Sequence, residues 1–378
     1  MNSVAHHHRQ PWLKSALSDS LFILLPPFLS LLVVMFFPDH FKTTTAMPVE
    51  YWIVLVVFVD VAHVYSTLYR TYFKSEKGKV LSGLLFIIPV TSYFAGVLLY
   101  HIDGLLFWRM LAYLAVYHFI RQQYGFMRLY SREEKPHVVF RWIDQVTIYA
   151  ATIYPILFWH FDSSRNFSWF ISGDFLSYPS LFLISLSEWL YVSILSIYVI
   201  KECLQVCRTC YFNIPRNFLI IGTCLSWYFG IVYFNGDMAF TTLNVISHGI
   251  PYMALIWYFE KDQFLKKTNS ASSPYHYDSG SSFNGRKTVS NYLLHITFGK
   301  YGVEVFITII VLLAYIEEGL WDGLVWKEHE HLFNTFSFLP HIKETDILTF
   351  IVPLLALPQA THYILDGFIW RKNRKRGD

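Results

Sequence analysis

Charge is what this sequence has least of. Lys, Arg, Asp and Glu make up 15% of its 378 residues, where a soluble domain carries about 25%. So small a polar supply cannot cover a soluble surface of this size. The net charge of +3 is too slight to point to a nucleic-acid partner, and none is expected. Cysteine is scarce as well: Cys203, Cys207, Cys210 and Cys224 make up the full set of 4. Three of them recur at i, i+4 and i+7, close to one face of a helix end. They read as small residues there, with metal binding, redox chemistry and lipid attachment as alternatives. On a reducing side of a membrane they are thiols, not disulfides.

Motifs are missing too. The sequence has no phosphate-binding glycine loop, no dinucleotide fingerprint, no Ser/His/Asp arrangement and no histidine box of the kind found in membrane desaturases and hydroxylases, so a motif assigns no chemistry. No small-residue cleavage pattern follows the first apolar block, which is therefore expected to stay as an anchor. His6, His7 and His8 precede it in a tail too loose to define a metal site.

What the sequence has in quantity is apolar residues, 54% of the total, with aromatics at 19%. They fall into blocks of roughly 20, the length that crosses a hydrocarbon layer about 30 Å thick. Backbone groups in that layer must pair within their own segment, so the blocks are expected to be helices. The expected fold is all-α, a polytopic transmembrane helical bundle of about ten spans forming a single integral membrane domain over 1–378. The expected spans are 19–37, 51–73, 80–100, 105–127, 141–160, 178–200, 215–234, 238–259, 301–321 and 346–369. Two longer connections remain. The Ser/Gly/Asn-rich stretch 260–300 reads as a flexible cytoplasmic loop. The stretch 322–345, with Trp326, His329, His331 and His341, reads as an exposed, charged outer loop.

Lys and Arg set the orientation. With both termini inside, the outer side keeps just Lys42, Arg109, Arg165, Lys327 and Lys343, as the positive-inside tendency requires. The basic run at 371–376 reads as a topology anchor. A bacterial inner membrane is the expected location, since no organelle signal is visible.

The informative residues are polar side chains inside the expected spans, because ionisable groups in hydrocarbon are costly and usually mark function. Asp60 and His63, His118 with Arg121 and Gln122, Glu188, His248, and His362 with Asp366 all fall on spans running from outside to inside. Measured to the cytoplasmic charge closing each span, His63, His118, Glu188, His248 and His362 differ in depth by about 6 Å at 1.5 Å per residue. They are expected to meet in one layer near mid-membrane. Asp60 and His63 share a helix face, as do His362 and Asp366. Each aspartate is positioned to hold a ring nitrogen of its histidine, the usual support for a metal ligand.

Imidazole suits iron, copper, zinc and nickel. Four imidazoles without thiolate in an apolar interior point to a transition metal, iron first. The expected function is a non-haem iron oxygenase or oxidoreductase acting on a membrane lipid or isoprenoid. His63, His118, His248 and His362 are the candidate ligands, with Asp60, Asp366 and Glu188 as further metal-site residues. Arg121 and Gln122 are the candidate catalytic pair, placed to bind a carboxylate, an oxygen species or a headgroup. The alternatives are a haem held between histidines for electron transfer, and a proton- or ion-coupled transporter using the same polar layer.

Overall fold

A computed structural model describes residues 9–43, 47–74, 79–134, 136–271 and 292–370. Among the described residues the fold is all-α, and no strand is present. The basic run at 371–376 and the histidine tail at 6–8 lie outside the described residues, as do residues 272–291 of the expected loop 260–300. The part of that loop that is described is helical at its start: the helix Asp237–Ala271 continues through it.

The chain divides into two compact units. One comprises Met1–Met47 and Phe119–Pro251, the other Pro48–His118 and Tyr252–Asp378. The first unit is built around the helix Val138–Phe161, which packs on Leu181–Thr209 and Ile214–Trp227. Side chains fix where these helices start. Ser180 accepts from the Leu183 amide, and Asn213 accepts from the Arg216 amide with Pro215 in the first turn. Both arrangements satisfy amides that the helix cannot pair itself. Gly222 lets Ile214–Trp227 close on Pro26–Phe36, since a Cβ there would lie 2.8 Å from the Pro27 ring.

The second unit carries the residues of interest. Its first helix is continuous from Val49 to Arg70 but changes pitch. It is α over Val49–Trp52, π over Ile53–Val61 and α again over Ala62–Arg70. A π segment shifts the phase of every side chain after it and often marks a functional position; His63 sits two residues beyond this one. Gly302–Trp321 packs along the same helix. Thr345–Leu355 and Leu357–Ile369 both pack on Lys79–Ile102, where Leu85 and Ile88 meet Leu365 and Ile369 in an apolar core. Gly96 allows the close approach, because a Cβ there would lie 2.9 Å from Pro353. These last two helices meet at a bend of 41°. Pro358 has no amide hydrogen to give back to the preceding turn, which breaks the ladder there.

Three helices are long and apolar enough to cross a membrane: Val49–Arg70, Leu81–Ile102 and Leu181–Thr209. The bent pairs Ala16–Leu24 with Pro26–Phe36, and Thr345–Leu355 with Leu357–Ile369, raise the number to 5 if each is one span. The expected ten are therefore not reached. The remaining expected spans are largely helical, but too polar. Gly302–Trp321 carries Glu304, Glu317 and Glu318, and Gly104–Tyr130 carries Arg109, Arg121 and Arg128. Blocks of apolar residues around such side chains suit a helix with a sheltered polar face as well as they suit a span.

Candidate metal centre

Three of the four expected histidines come together, all within the second unit. His63, His118 and His362 are 1%, 1% and 2% exposed, and one ring nitrogen of each lies within 4.8 Å of the others. They arrive from three helices: Ala62–Arg70, Gly104–Tyr130 and Leu357–Ile369. The ring centroids of His118 and His362 are 4.4 Å apart, and His63 is edge-on to His362 at 5.1 Å.

A hydrogen-bond chain to His362 and a carboxylate facing His118 bias which nitrogens carry protons. Asp366 Oδ1 accepts from the Tyr252 hydroxyl and from Trp370 Nε1, each at 2.8 Å. Tyr252 has thus committed its proton, so at its 3.1 Å contact with Thr67 Oγ1 it is the acceptor. Thr67 in turn has committed its proton to Tyr252, so at 2.7 Å it accepts from His362 Nδ1. The other oxygen of Asp366 faces His118 Nδ1 at 3.5 Å and favours a proton there as well. One carboxylate therefore sets two tautomers, directly and through a two-residue relay.

The consequence appears at the opposite side of the rings. With both Nδ1 atoms protonated, Nε2 of His118 and Nε2 of His362 present lone pairs to each other, 3.1 Å apart. Two ring nitrogens at that distance are satisfied either by a proton held between them or by a metal ion that both ligate. Metal–imidazole bonds of about 2.0–2.1 Å at angles of 90–109° place neighbouring nitrogens about 2.9–3.4 Å apart. The observed spacing falls inside that interval. His63 is the third donor; its Nδ1 is 3.7 Å from Asp60 Oδ1 on the same helix, and the Asp60 side chain is 34% exposed.

Four of the other expected site residues, His248, Gln122, Arg121 and Glu188, belong to the first unit. The His248 ring stacks there on Phe119 at 3.5 Å between centroids. Gln122 is buried in that unit and its amide donates to the His248 carbonyl at 2.9 Å. Arg121 is exposed, donating to the Tyr149 hydroxyl and lying 4.7 Å from the Tyr124 ring. Glu188 is exposed on Leu181–Thr209. Asp366 reaches the cluster as expected, but its contact runs to His118, while Thr67 meets the Nδ1 of His362. Thr67 and Tyr252 are the relay that reading along the sequence missed. Thr67 stands four residues after His63, on the same helix face, and that spacing was the available signal.

A cavity of about 290 Å³ adjoins the cluster. His362 and Thr67 form part of its wall, and Val64, Leu68, Leu354, Leu357 and Leu365 supply much of the rest. An apolar chamber beside imidazole donors suits a ligand with little polarity.

No protein-family model, no curated protein and no solved structure matches the chain. Fold and site define a class: a helical protein with several membrane-length apolar helices and a buried three-histidine group able to hold a metal ion.

The relay gives a graded expectation. Asp366→Asn removes the anchor of both tautomers, and metal affinity is expected to fall about 10–100-fold, the usual range for such supports. Thr67→Val cuts the His362 line alone and is expected to cost less. Competition with a chromophoric chelator on the purified variants checks the order. Equal losses in the two would remove the relay argument.

Proposed function

We propose that the protein is an integral membrane metalloprotein that binds a transition metal, iron first, through His63, His118 and His362, and acts as an oxidoreductase on a lipid or isoprenoid substrate. The observation that carries this reading is the pair of Nε2 atoms 3.1 Å apart with both Nδ1 atoms committed elsewhere. An all-nitrogen donor set suits iron, copper, zinc or nickel, and three protein donors leave coordination positions open. Iron bound there would supply one-electron and dioxygen chemistry. The surrounding residues hold the imidazoles in one tautomer, keep the donors away from water and present an apolar chamber to the substrate.

The same spacing speaks against a haem held between His118 and His362. Trans axial nitrogens at about 2.0 Å from one iron stand about 4 Å apart, and a macrocycle would have to separate the rings. A shared proton is the remaining way to satisfy two facing lone pairs, and it supports the reading of a proton site. Metal analysis with an optical spectrum on detergent-purified protein separates these. About one iron per chain without a Soret band supports the proposal. A metal-free, well-folded protein leaves the proton site.

The cavity has its own test. Leu354 is 49% exposed at the rim, so Leu354→Trp adds bulk with room to fold. Binding of a fluorescent polyene fatty acid is expected to weaken at least about tenfold, or about 1.4 kcal/mol, with metal content unchanged. Unaltered binding would show that apolar ligands do not use this chamber.

A further inference from the structure

We propose that Cys203, Cys207 and Cys210 accept long-chain fatty acyl groups as thioesters. The inference rests on the reading that Leu181–Thr209 crosses a membrane with its Thr209 end in the cytosol.

The thiols close one of the three helices long and apolar enough to cross a membrane, of whose apolar stretch 17% is buried. All three are exposed. Spacings of four and three residues set them on one stripe, and the same stripe runs back through Val192, Val199 and Ile200, exposed by 51%, 59% and 59%. At the level of Cys203 the helix has its polarity turned inward. Lys201 and Glu202 are buried, pairing with each other and with Asp144 and Arg216, while Cys203 and Leu204 face out. The outer face thus passes from apolar side chains to thiols without an intervening charge. Cys210 then ends the helix in the left-handed region, φ 51°, and the chain turns away. This is the position from which an acyl chain can fold back along an apolar helix face.

A metal is the rival ligand for three cysteines. Among the described residues, the group of three or more ligand side chains within coordinating reach is His63, His118 and His362, and the cysteines form no such group. Acylation needs no mutual approach. Each sulfur attacks the carbonyl carbon of an acyl-coenzyme A; the new S–C bond forms as the coenzyme's C–S bond breaks, and the cysteine's proton leaves with the coenzyme A thiol. No electron is gained or lost.

The test uses the full-length protein expressed in yeast. Free thiols are blocked, thioesters are cleaved with hydroxylamine, and the released thiols are tagged with a maleimide polymer that shifts the gel band once per site. The expected result is a hydroxylamine-dependent ladder of up to three steps. Each of Cys203→Ser, Cys207→Ser and Cys210→Ser should remove one step, and Cys224→Ser none. A ladder that survives in the triple variant overturns the proposal. So does the absence of a ladder when a membrane-impermeant maleimide also fails to reach the three thiols in intact cells; that result leaves the orientation standing. If the impermeant maleimide does reach them, the orientation falls and the proposal falls with it.

Discussion

Replacing His118 with alanine is expected to reduce bound metal from about one ion per chain to less than a tenth of that, the largest functional effect of any single substitution at the site. His118 contributes one of the two nitrogens at 3.1 Å and is the one Asp366 holds directly. Without it, His362 is left as a single strong donor with His63 as the more distant partner. Two imidazoles bind a divalent ion far more weakly than three that converge, because fewer fixed ligands share the cost of holding it. His63→Ala and His362→Ala are expected to act in the same direction. His341→Ala is the control: that ring is exposed, with Nε2 3.1 Å from the Val325 carbonyl, and its loss should leave metal content unchanged. Elemental analysis together with a size-exclusion profile checks each variant, the profile excluding simple misfolding. Wild-type metal content in well-folded His118→Ala would falsify the three-histidine site.

The sequence exposes the three histidines more readily than the groups that hold them. Buried polar residues in apolar helices stand out by cost alone, and similar distances to the basic residue that closes each expected span put His63, His118 and His362 at one expected depth. Along-helix spacing also found Asp60 as the neighbour of His63. It could not find Asp366 as the partner of His118, or Thr67 as that of His362, because those pairs join different helices and no local spacing encodes them. The π segment Ile53–Val61 adds to the difficulty, since it shifts the phase of the helix just before His63. Depth says nothing about the direction a side chain takes around its helix, and Glu188 is exposed on Leu181–Thr209. The span count failed for a related reason: a helix that shelters Glu317 has nearly the same overall apolarity as one that faces lipid. The inner-side Lys and Arg that set the expected orientation include Lys201 and Arg216. Both are buried, at 1% and 0% exposure.

Arg216→Met is expected to cost about 3–5 kcal/mol of stability, the range for leaving buried charges without a partner. The Arg216 guanidinium meets Glu134, Asp144 and Glu202, and Lys201 reaches Asp144 and Glu202 as well. Three carboxylates therefore share two cations, with Asn213 donating to Glu134 and Asn217 to Glu202. The group joins Val138–Phe161, Leu181–Thr209 and Ile214–Trp227, the three helices that build the first unit. Losing Arg216 leaves Lys201 to offset three negative charges, of which it touches two, and Glu134 keeps an amide but no cation. The loss should thus come mostly from repulsion and desolvation of the remaining carboxylates, not from the contacts removed. That makes it partly reversible: adding Glu202→Gln to Arg216→Met lowers the negative charge again and is expected to recover at least about 1 kcal/mol, whereas independent losses would add. Unfolding free energies of the purified single and double variants in mild detergent decide between the two. Additive losses would mean the cluster acts by packing alone; recovery in the double variant would identify charge balance as what holds these three helices together.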